Sequence, residues 1–354
     1  MLVKNGIKKL VNNLNLSFQE SQEIMRKIMT GKATSSQISA FLIALRMKGE
    51  TIDELKAFIK VMKENCLQIY PKVNGRLVDT CGTGGDKIKT FNISTAAAFV
   101  IAGSGISIAK HGNRSVTSKS GSADVLEHLG LNLNMSPQVV KSTIEQVGIG
   151  FMFAPFFHPA MKYAVAPRKE IGARTAFNLL GPLTNPASSD AQVVGVYDSN
   201  LTEKIANVLN QLDCKEAMVV HGLDGLDEIS TIGKTKISWL KQNKVKTFEI
   251  KPSDFKFNQT NVENLKATNS DDSSKIIFNI LYGNYNLNNP KTEIVLINSA
   301  AGIVVGGRAD DFISGIEVAR KSISSGAAYK KLKELIKKSG GDLSKIDELE
   351  AKYG

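Results

Sequence analysis

From Arg76 onward the chain alternates short apolar runs with helical stretches, and this alternation limits the fold more than any other feature. "RLVDTC", "ISIAKH", "IGFMFA", "AQVVGVY", "EAMVVHG" and "EIVLINS" read as strands. "ISTAAAFVIAGSG", "SADVLEHLG", "SPQVVKSTIEQVG" and "LTEKIANVLNQLD" lie among them and read as helices. In the third, Ser136 caps the helix, Pro137 takes its first position and Gly148 stops it. The pattern predicts an α/β fold over residues 73–354, a large domain with a mostly parallel central sheet flanked by helices. Lys241–Ser274 is polar and weakly periodic and reads as an irregular surface excursion. The tail "GIEVARKSISSGAAYKKLKELIKK" reads as helices.

Before Arg76 the signals are helical, and residues 1–72 predict a small all-helical domain. Ser17-x-x-Glu20 and Thr51-x-x-Glu54 are capping boxes, opening "FQESQEIMRKIMTG" and "IDELKAFIKVMKENC". Ser36 stands where it can cap "QISAFLIALRMKG". Three packed helices and no strand are expected there.

Composition matters for partners. The formal charge is +11, which raises the question of nucleic acid. The lysines are dispersed, however, and only 6% of residues are aromatic, so no stacking ladder accompanies the charge. A small polyanionic substrate suits that surplus better. The longest apolar run, "AAAFVIAGSGISIA", is broken by Gly103, Ser104 and Gly105 and is too short to span a bilayer. "MLVKNGIKKLVNN" has no continuous apolar region of the signal-peptide kind. Cys66, Cys81 and Cys214 are far apart and fit reduced thiols, so a cytoplasmic location is expected, with no membrane and no nucleic-acid partner.

"VDTCGTGGDKIKTFNISTAAAF" is a strand, a glycine-rich loop and a helix start. Gly82, Gly84 and Gly85 let backbone N–H groups face an anion, and the helix beginning near Ser94 or Thr95 adds the positive end of its dipole. Asn92, Ser94 and Thr95 add side-chain donors. The pattern is neither a Walker loop nor the dinucleotide fingerprint. By itself it also fits a tight strand-to-helix turn. "KHGNRSVTSKSGSADVLEHLG" follows a second strand and gathers Lys110, His111, Asn113, Arg114, Thr117, Ser118, Ser120 and Ser122. Two such loops at the carboxyl ends of parallel strands suit diphosphate. Asp227 and Glu228, in "VVHGLDGLDEIS", are hard oxygen ligands of the kind that hold Mg²⁺ together with substrate phosphates, and they also fit an ordinary acidic turn.

Taken in order, "GTGGD", "NIST", "KHGNR", "SGSADVLEHLG", "RKEIGARTAFNLLGPLTNPA" and "GLDEIS" resemble the anthranilate phosphoribosyltransferase family of tryptophan biosynthesis, over nearly the whole chain. The resemblance implies transfer of the 5-phosphoribosyl group from 5-phosphoribosyl 1-diphosphate (PRPP) to the amine of anthranilate. It implies PRPP binding by Gly82, Gly85, Asp86, Thr90, Asn92, Ile93, Ser94, Thr95, Lys110, His111, Gly112, Asn113, Arg114, Ser115, Val116, Thr117, Ser118 and Ser122. Anthranilate falls to Gly82, Asn113 and Arg168, and Mg²⁺, two ions per site, to Ser94, Asp227 and Glu228. No residue is expected as general acid or base, because an aromatic amine is neutral at pH 7. His158 could line the aryl entrance or simply pack before Pro159. A homodimer is implied, with the helical domain of residues 1–72 joined by helices from about 160–190. Two departures stand out: Thr117 replaces an expected serine, and Lys256 occupies a place where glycine is expected. A pyrimidine nucleoside phosphorylase shares this architecture and is the competing enzyme reading. A nucleic-acid-binding paralogue without transfer activity is the non-enzyme one.

Overall fold

The computed structural model describes residues 2–84, 88–115 and 120–354. The expected site residues Gly85, Asp86, Val116, Thr117 and Ser118 lie outside the described residues.

Seven strands form one sheet: β1 (Leu77–Gly82), β2 (Ser107–Gly112), β3 (Ile149–Phe153), β4 (Ala191–Gly195), β5 (Glu216–Gly222), β6 (Thr235–Lys241) and β7 (Lys244–Ile250). Their spatial order is β3-β2-β1-β4-β5-β6-β7. The first five are parallel, and β6 and β7 extend the sheet antiparallel. The chain leaves β1 towards β2 on one side and later returns to β4 on the other. The order therefore reverses at β1, which puts a crevice at the carboxyl ends of β1 and β4.

Each face of the sheet has its own core. On one, helices Ile93–Gly103, Ser270–Tyr282 and Pro290–Val305 contribute Phe99, Phe278 and Ile297. The other core joins strand residues such as Val194 and Val219 to Phe41 and Phe58 of the N-terminal helices and to Phe177 and Leu180 of helix Ala176–Leu183. Helices Lys162–Ile171 and Ala176–Leu183 both pack on Ser35–Lys48 of the N-terminal bundle.

The strand boundaries expected from β1 to β5 hold to within two residues. Four other expectations are corrected. "EIVLINS" is helix, within Pro290–Val305; Asn289 caps it, Pro290 opens it, and from Thr292 to Val305 every residue is buried. Such a segment lacks the polar stripe that gives a helix its period, so its sequence mimics a buried strand. Thr34, not Ser36, caps Ser35–Lys48, in a reciprocal box with Gln37. The N-terminal bundle has a fourth helix, Leu2–Val11. Finally, Lys241–Ser274 is not irregular throughout: it holds β7, helix Val262–Leu265 and the start of Ser270–Tyr282. The β6–β7 turn places Gln242 and Asn243 at φ 51° and 59°, the pair of left-handed residues that a two-residue hairpin of type I′ requires. Among the described residues no helix is long and apolar enough to cross a membrane.

Candidate active site

β1 and β4 run side by side to the pair Gly82 and Gly195. A β-carbon at Gly82 would stand 2.5 Å from Asp227 Oδ2, and one at Gly195 would collide with the Asp227 carbonyl oxygen. Glycine here is a space requirement that lets the acidic loop after β5 close down on the sheet. Asp227 Oδ2 accepts the Gly84 N–H at 2.9 Å, and Glu228 Oε1 accepts the Ser94 N–H at 3.1 Å. The adjacent carboxylates therefore grip both ends of the glycine loop. Asn92 precedes helix Ile93–Gly103 but makes no side-chain cap bond. Glu228 supplies the anion that this helix start favours. Burial pushes the Asp227 carboxyl above its ordinary range, opposed by the Gly84 N–H and by the charges of His221 and Arg174. A nearby cation would relieve that cost.

The second loop leaves β2 at Gly112, where a β-carbon would strike Ser122 Oγ. Asn113 O accepts Ala123 N–H at 3.2 Å and Ser122 Oγ–H at 3.5 Å. Asp124 Oδ2 accepts the N–H groups of Ser115 and Gly121, each at 3.0 Å. Arg114 is turned back onto the protein: it pairs with Glu127 through two bonds, at 2.6 and 2.8 Å, and with Asp124 at 3.0 Å. Those pairs hold its guanidinium pKa above the ordinary value. Asn92 ties the two loops together. It donates to Ser120 O at 3.2 Å, and its Oδ1 accepts the Ser120 hydroxyl at 2.7 Å and the Ser273 hydroxyl at 2.9 Å.

Beneath the loops lies a buried polar layer. Lys110 is 3% exposed and donates its ammonium to Thr80 O at 2.7 Å, under the glycine loop rather than at its mouth. Asp79, fully buried, accepts from His111 N at 3.4 Å and from Gln192 Nε2 at 3.3 Å. Burial lowers the Lys110 pKa and raises that of Asp79, and each charge partly offsets the shift of the other. The His111 and His158 rings lie 4.9 Å apart between centroids. Burial pushes His111 well below its ordinary value and His158 down to about 4, so both are neutral at pH 7.

Arg168 sits in the last turn of helix Lys162–Ile171, its guanidinium carbon 5.3 Å from the Phe177 ring centroid. It is half-buried, and burial depresses its pKa. Among the described residues it forms no ion pair with a carboxylate. That contrasts with Arg114, which Glu127 and Asp124 hold. Of the other expected residues, Ile93 and Thr95 are buried in the first turn after Asn92, and Thr90 bridges to Lys266.

The structure thus brings Gly82, Ser94, Asp227 and Glu228 together, and links Asn92 to the second loop through Ser120. Sequence reasoning missed Asp79, Gln192, Asp124 and Thr83. Asp79 had one signal, a lone charge inside an apolar strand. Thr83, whose hydroxyl accepts the Tyr197 N–H at 3.1 Å, had none. Among the described residues no three His, Cys, Asp or Glu side chains gather as a metal site. Two carboxylates and a serine suit Mg²⁺ completed by substrate oxygens.

Two family models match the chain: the glycosyl transferase family a/b domain over residues 74–329, and the helical bundle domain of the same family over residues 4–66. Anthranilate phosphoribosyltransferase of Methanocorpusculum labreanum is 53% identical over 340 residues, covering 96% of this chain and 99% of that protein. Among solved structures, anthranilate phosphoribosyltransferase of Thermus thermophilus superposes with a TM-score of 0.89 at 34% identity, covering 95% of this chain and 99% of the other. The Saccharomyces cerevisiae enzyme, solved with PRPP and Mg, gives a TM-score of 0.88 at 29% identity, over 96% and 98% of the two chains.

Proposed function

The chain belongs to the anthranilate phosphoribosyltransferase family, and we propose that its acidic pair and two glycine-containing loops hold Mg²⁺ and PRPP while Arg168 receives anthranilate. The enzyme moves the 5-phosphoribosyl group of PRPP to the amine of anthranilate and releases diphosphate, a step of tryptophan biosynthesis. It is a magnesium-binding transferase.

The observation that carries the site assignment is the grip of Asp227 on Gly84 and of Glu228 on Ser94. It joins the glycine loop at the sheet crossover to two carboxylates and a helix start. The Gly84 and Ser94 N–H groups would turn to phosphate as Asp227 and Glu228 give them up to take the metal. The PRPP set read from the sequence, from Gly82 and Gly85 through Asn92–Thr95 to Lys110–Ser118 and Ser122, is proposed as a whole. Within it, Lys110 acts from beneath, through the β1 carbonyl of Thr80, and Arg114 must exchange Glu127 for phosphate if it is to bind.

Asp227, Glu228 and Ser94 hold the metal. Two ions per site are proposed on the strength of the family resemblance. Bound there, Mg²⁺ neutralises the charge that grows on departing diphosphate. The Gly84 and Ser94 N–H groups, once exchanged from the carboxylates to phosphate, add to the same stabilisation. The Asp227 and Glu228 charges also favour the positive charge that develops at the ribose carbon. Arg168 pairs its planar guanidinium with the anthranilate carboxylate, which points the amine at that carbon. The amine attacks as a neutral group, and no side chain need first remove a proton. A cytoplasmic homodimer completes the proposal, supported by the resemblance.

The test is a fluorescence assay. Loss of anthranilate emission should require PRPP and Mg²⁺ together, and EDTA should stop it. Asp227→Asn combined with Glu228→Gln should lower magnesium-dependent turnover by about 100-fold or more, the scale of losing a preorganised charge-stabilising group. An unchanged magnesium dependence in that variant would put the metal elsewhere.

A further inference from the structure

We propose that Asn298, a buried amide in helix Pro290–Val305, is a positioning residue for the magnesium site: it fixes the peptide that follows Glu228 and so keeps that carboxylate in place when the metal binds. The inference rests on the reading of Asp227 and Glu228 given above.

Asn298 stands out in its helix. From Thr292 to Val305 every residue is buried, and Asn298 itself is 2% exposed. A buried amide is costly unless its hydrogen bonds are made. Here they reach the acidic loop. Asn298 Oδ1 accepts the Ile229 N–H at 2.9 Å, and Nδ2 donates to Ile229 O at 2.9 Å and to Ile294 O of its own helix at 2.8 Å. The pairing needs an acceptor and a donor side by side, and a carboxamide offers both on one plane. The two bonds to Ile229 fix the peptide planes on either side of it. The first of those planes contains the Glu228 carbonyl, so it sets the direction in which the Glu228 side chain leaves the backbone.

The acidic loop has other holds, at its two ends. Before the carboxylates, Gly222 N–H donates to Leu226 O at 2.9 Å and Leu226 N–H to Asp224 Oδ1 at 3.2 Å. After them, Ser230 N–H donates to Thr235 Oγ1 at 2.9 Å, and the Ser230 hydroxyl donates to Asp224 Oδ2. Those contacts close the loop on itself, whereas Asn298 ties it to a helix of the core. The same helix packs on Ile93–Gly103, where a β-carbon at Gly302 would strike Ile101. Ile93–Gly103 carries Ser94, the third residue read as holding the metal. Asn298 therefore refers Glu228 to the element on which Ser94 sits.

Metal binding changes these holds unequally. It takes Glu228 from the Ser94 N–H and Asp227 from the Gly84 N–H. It takes nothing from Asn298, whose partners are backbone groups. The Lys110 charge also acts on Glu228, but a charge orients no peptide plane. The grip on Ile229 thus persists in the metal-bound state, and groups that orient metal ligands from behind contribute strongly to metal affinity.

The test is a magnesium titration of turnover, at saturating PRPP and anthranilate, in Asn298→Leu, Asn298→Ala and Ser299→Ala, with thermal melts of each. Ser299 is the next residue of the same helix; it is fully buried, and its hydroxyl has no hydrogen-bond partner among the described residues. The magnesium concentration for half-maximal turnover should rise about tenfold in both Asn298 variants, the low end of what losing an orienting partner of a metal ligand costs, while the anthranilate KM at saturating magnesium moves less than about twofold. Ser299→Ala should match wild type in both. If Asn298 only satisfied buried backbone groups, its loss would lower the melting temperature and leave the magnesium requirement unchanged, and that result would overturn the proposal. An equal shift in Ser299→Ala would overturn it too. Hydrogen exchange on the wild-type chain reports even where both Asn298 variants fold poorly: the Ile229 amide should keep its protection when Mg²⁺ and PRPP are added, and loss of that protection would refute the persistent grip. Normal magnesium dependence in Asp227→Asn/Glu228→Gln would instead overturn the metal reading, an outcome separate from failure of Asn298.

Discussion

The Asp227 main chain lies against Gly195 while its side chain reaches past Gly82 to the Gly84 N–H. The two glycines are therefore different tests of one contact. A methyl group at Gly195 meets backbone, which cannot swing aside, and Gly195→Ala should cost about 1–3 kcal/mol of stability as well as activity. At Gly82 the methyl group meets only the tip of the Asp227 side chain. Gly82→Ala should leave the melting temperature nearly unchanged and weaken Mg²⁺ activation, because Asp227 must release Gly84 to make room. Thermal melts and Mg²⁺ titrations on both variants check this. Equal loss of stability in the two would show that the acidic loop is rigid at both points.

Arg168 is half-buried, stacked on Phe177, and paired with no carboxylate among the described residues. Removing the side chain should not strand a buried partner, so the fold should survive. Arg168→Ala should raise the anthranilate KM by roughly 10- to 100-fold, the range for a charge-assisted hydrogen bond, while PRPP binding persists. Lysine keeps the charge but not the planar fork, and Arg168→Lys should recover only part of the loss. Steady-state kinetics with each substrate varied in turn decides it; unchanged anthranilate kinetics would remove Arg168 from the aryl site.

His158 is buried, and its pKa falls from 6.5 to about 4. The unfolded chain takes up a proton near its ordinary pKa, while the folded chain resists until about pH 4. The unfolded state therefore binds more protons between those values, and stability must drop as pH falls through that window. From pH 7 to pH 5 the contribution of His158 is a loss of about 2 kcal/mol, and His111, shifted the same way, adds to it. Denaturant melts at pH 7, 6 and 5 should show this slope. His158→Asn should flatten it, and an equally steep slope in that variant would assign the protons to other groups.

How much of this could be read in advance depended on distance along the chain. β1 to β5 were legible because each apolar run is short, and those of β1 to β4 are followed by a helical period. Helix Pro290–Val305 was not, since burial on every side erased the period that marks a helix. β7 was hidden by Lys244, Lys246 and Glu249 on an edge strand, a place where charge is expected. In the site, the glycine loop and the acidic pair could each be recognised locally. Their joining could not, because Gly84 and Asp227 are 143 residues apart and Ser94 and Glu228 are 134 apart. Tyr197 carried no local signal at all, and its neighbours come from the glycine loop and from the turn after Arg168.

Lys256 stands where the family pattern led to an expectation of glycine, and its backbone explains why. It follows the short helical turn Pro252–Phe255 at φ 59° and ψ 25°, in the left-handed region that a β-carbon disfavours. The side chain is exposed. Glycine would relieve about 1–2 kcal/mol of steric cost. Its greater freedom in the unfolded chain offsets about 0.4–1 kcal/mol of that. Lys256→Gly should therefore stabilise the protein by up to about 1 kcal/mol, a rise of roughly 1–3 °C in melting temperature for a chain of this size. Lys256→Ala keeps the β-carbon and should change little, so the pair separates backbone conformation from charge. A gain of the same size in the alanine variant would trace the effect to the lysine side chain, and a fall in the glycine variant would show that residue 256 is not strained.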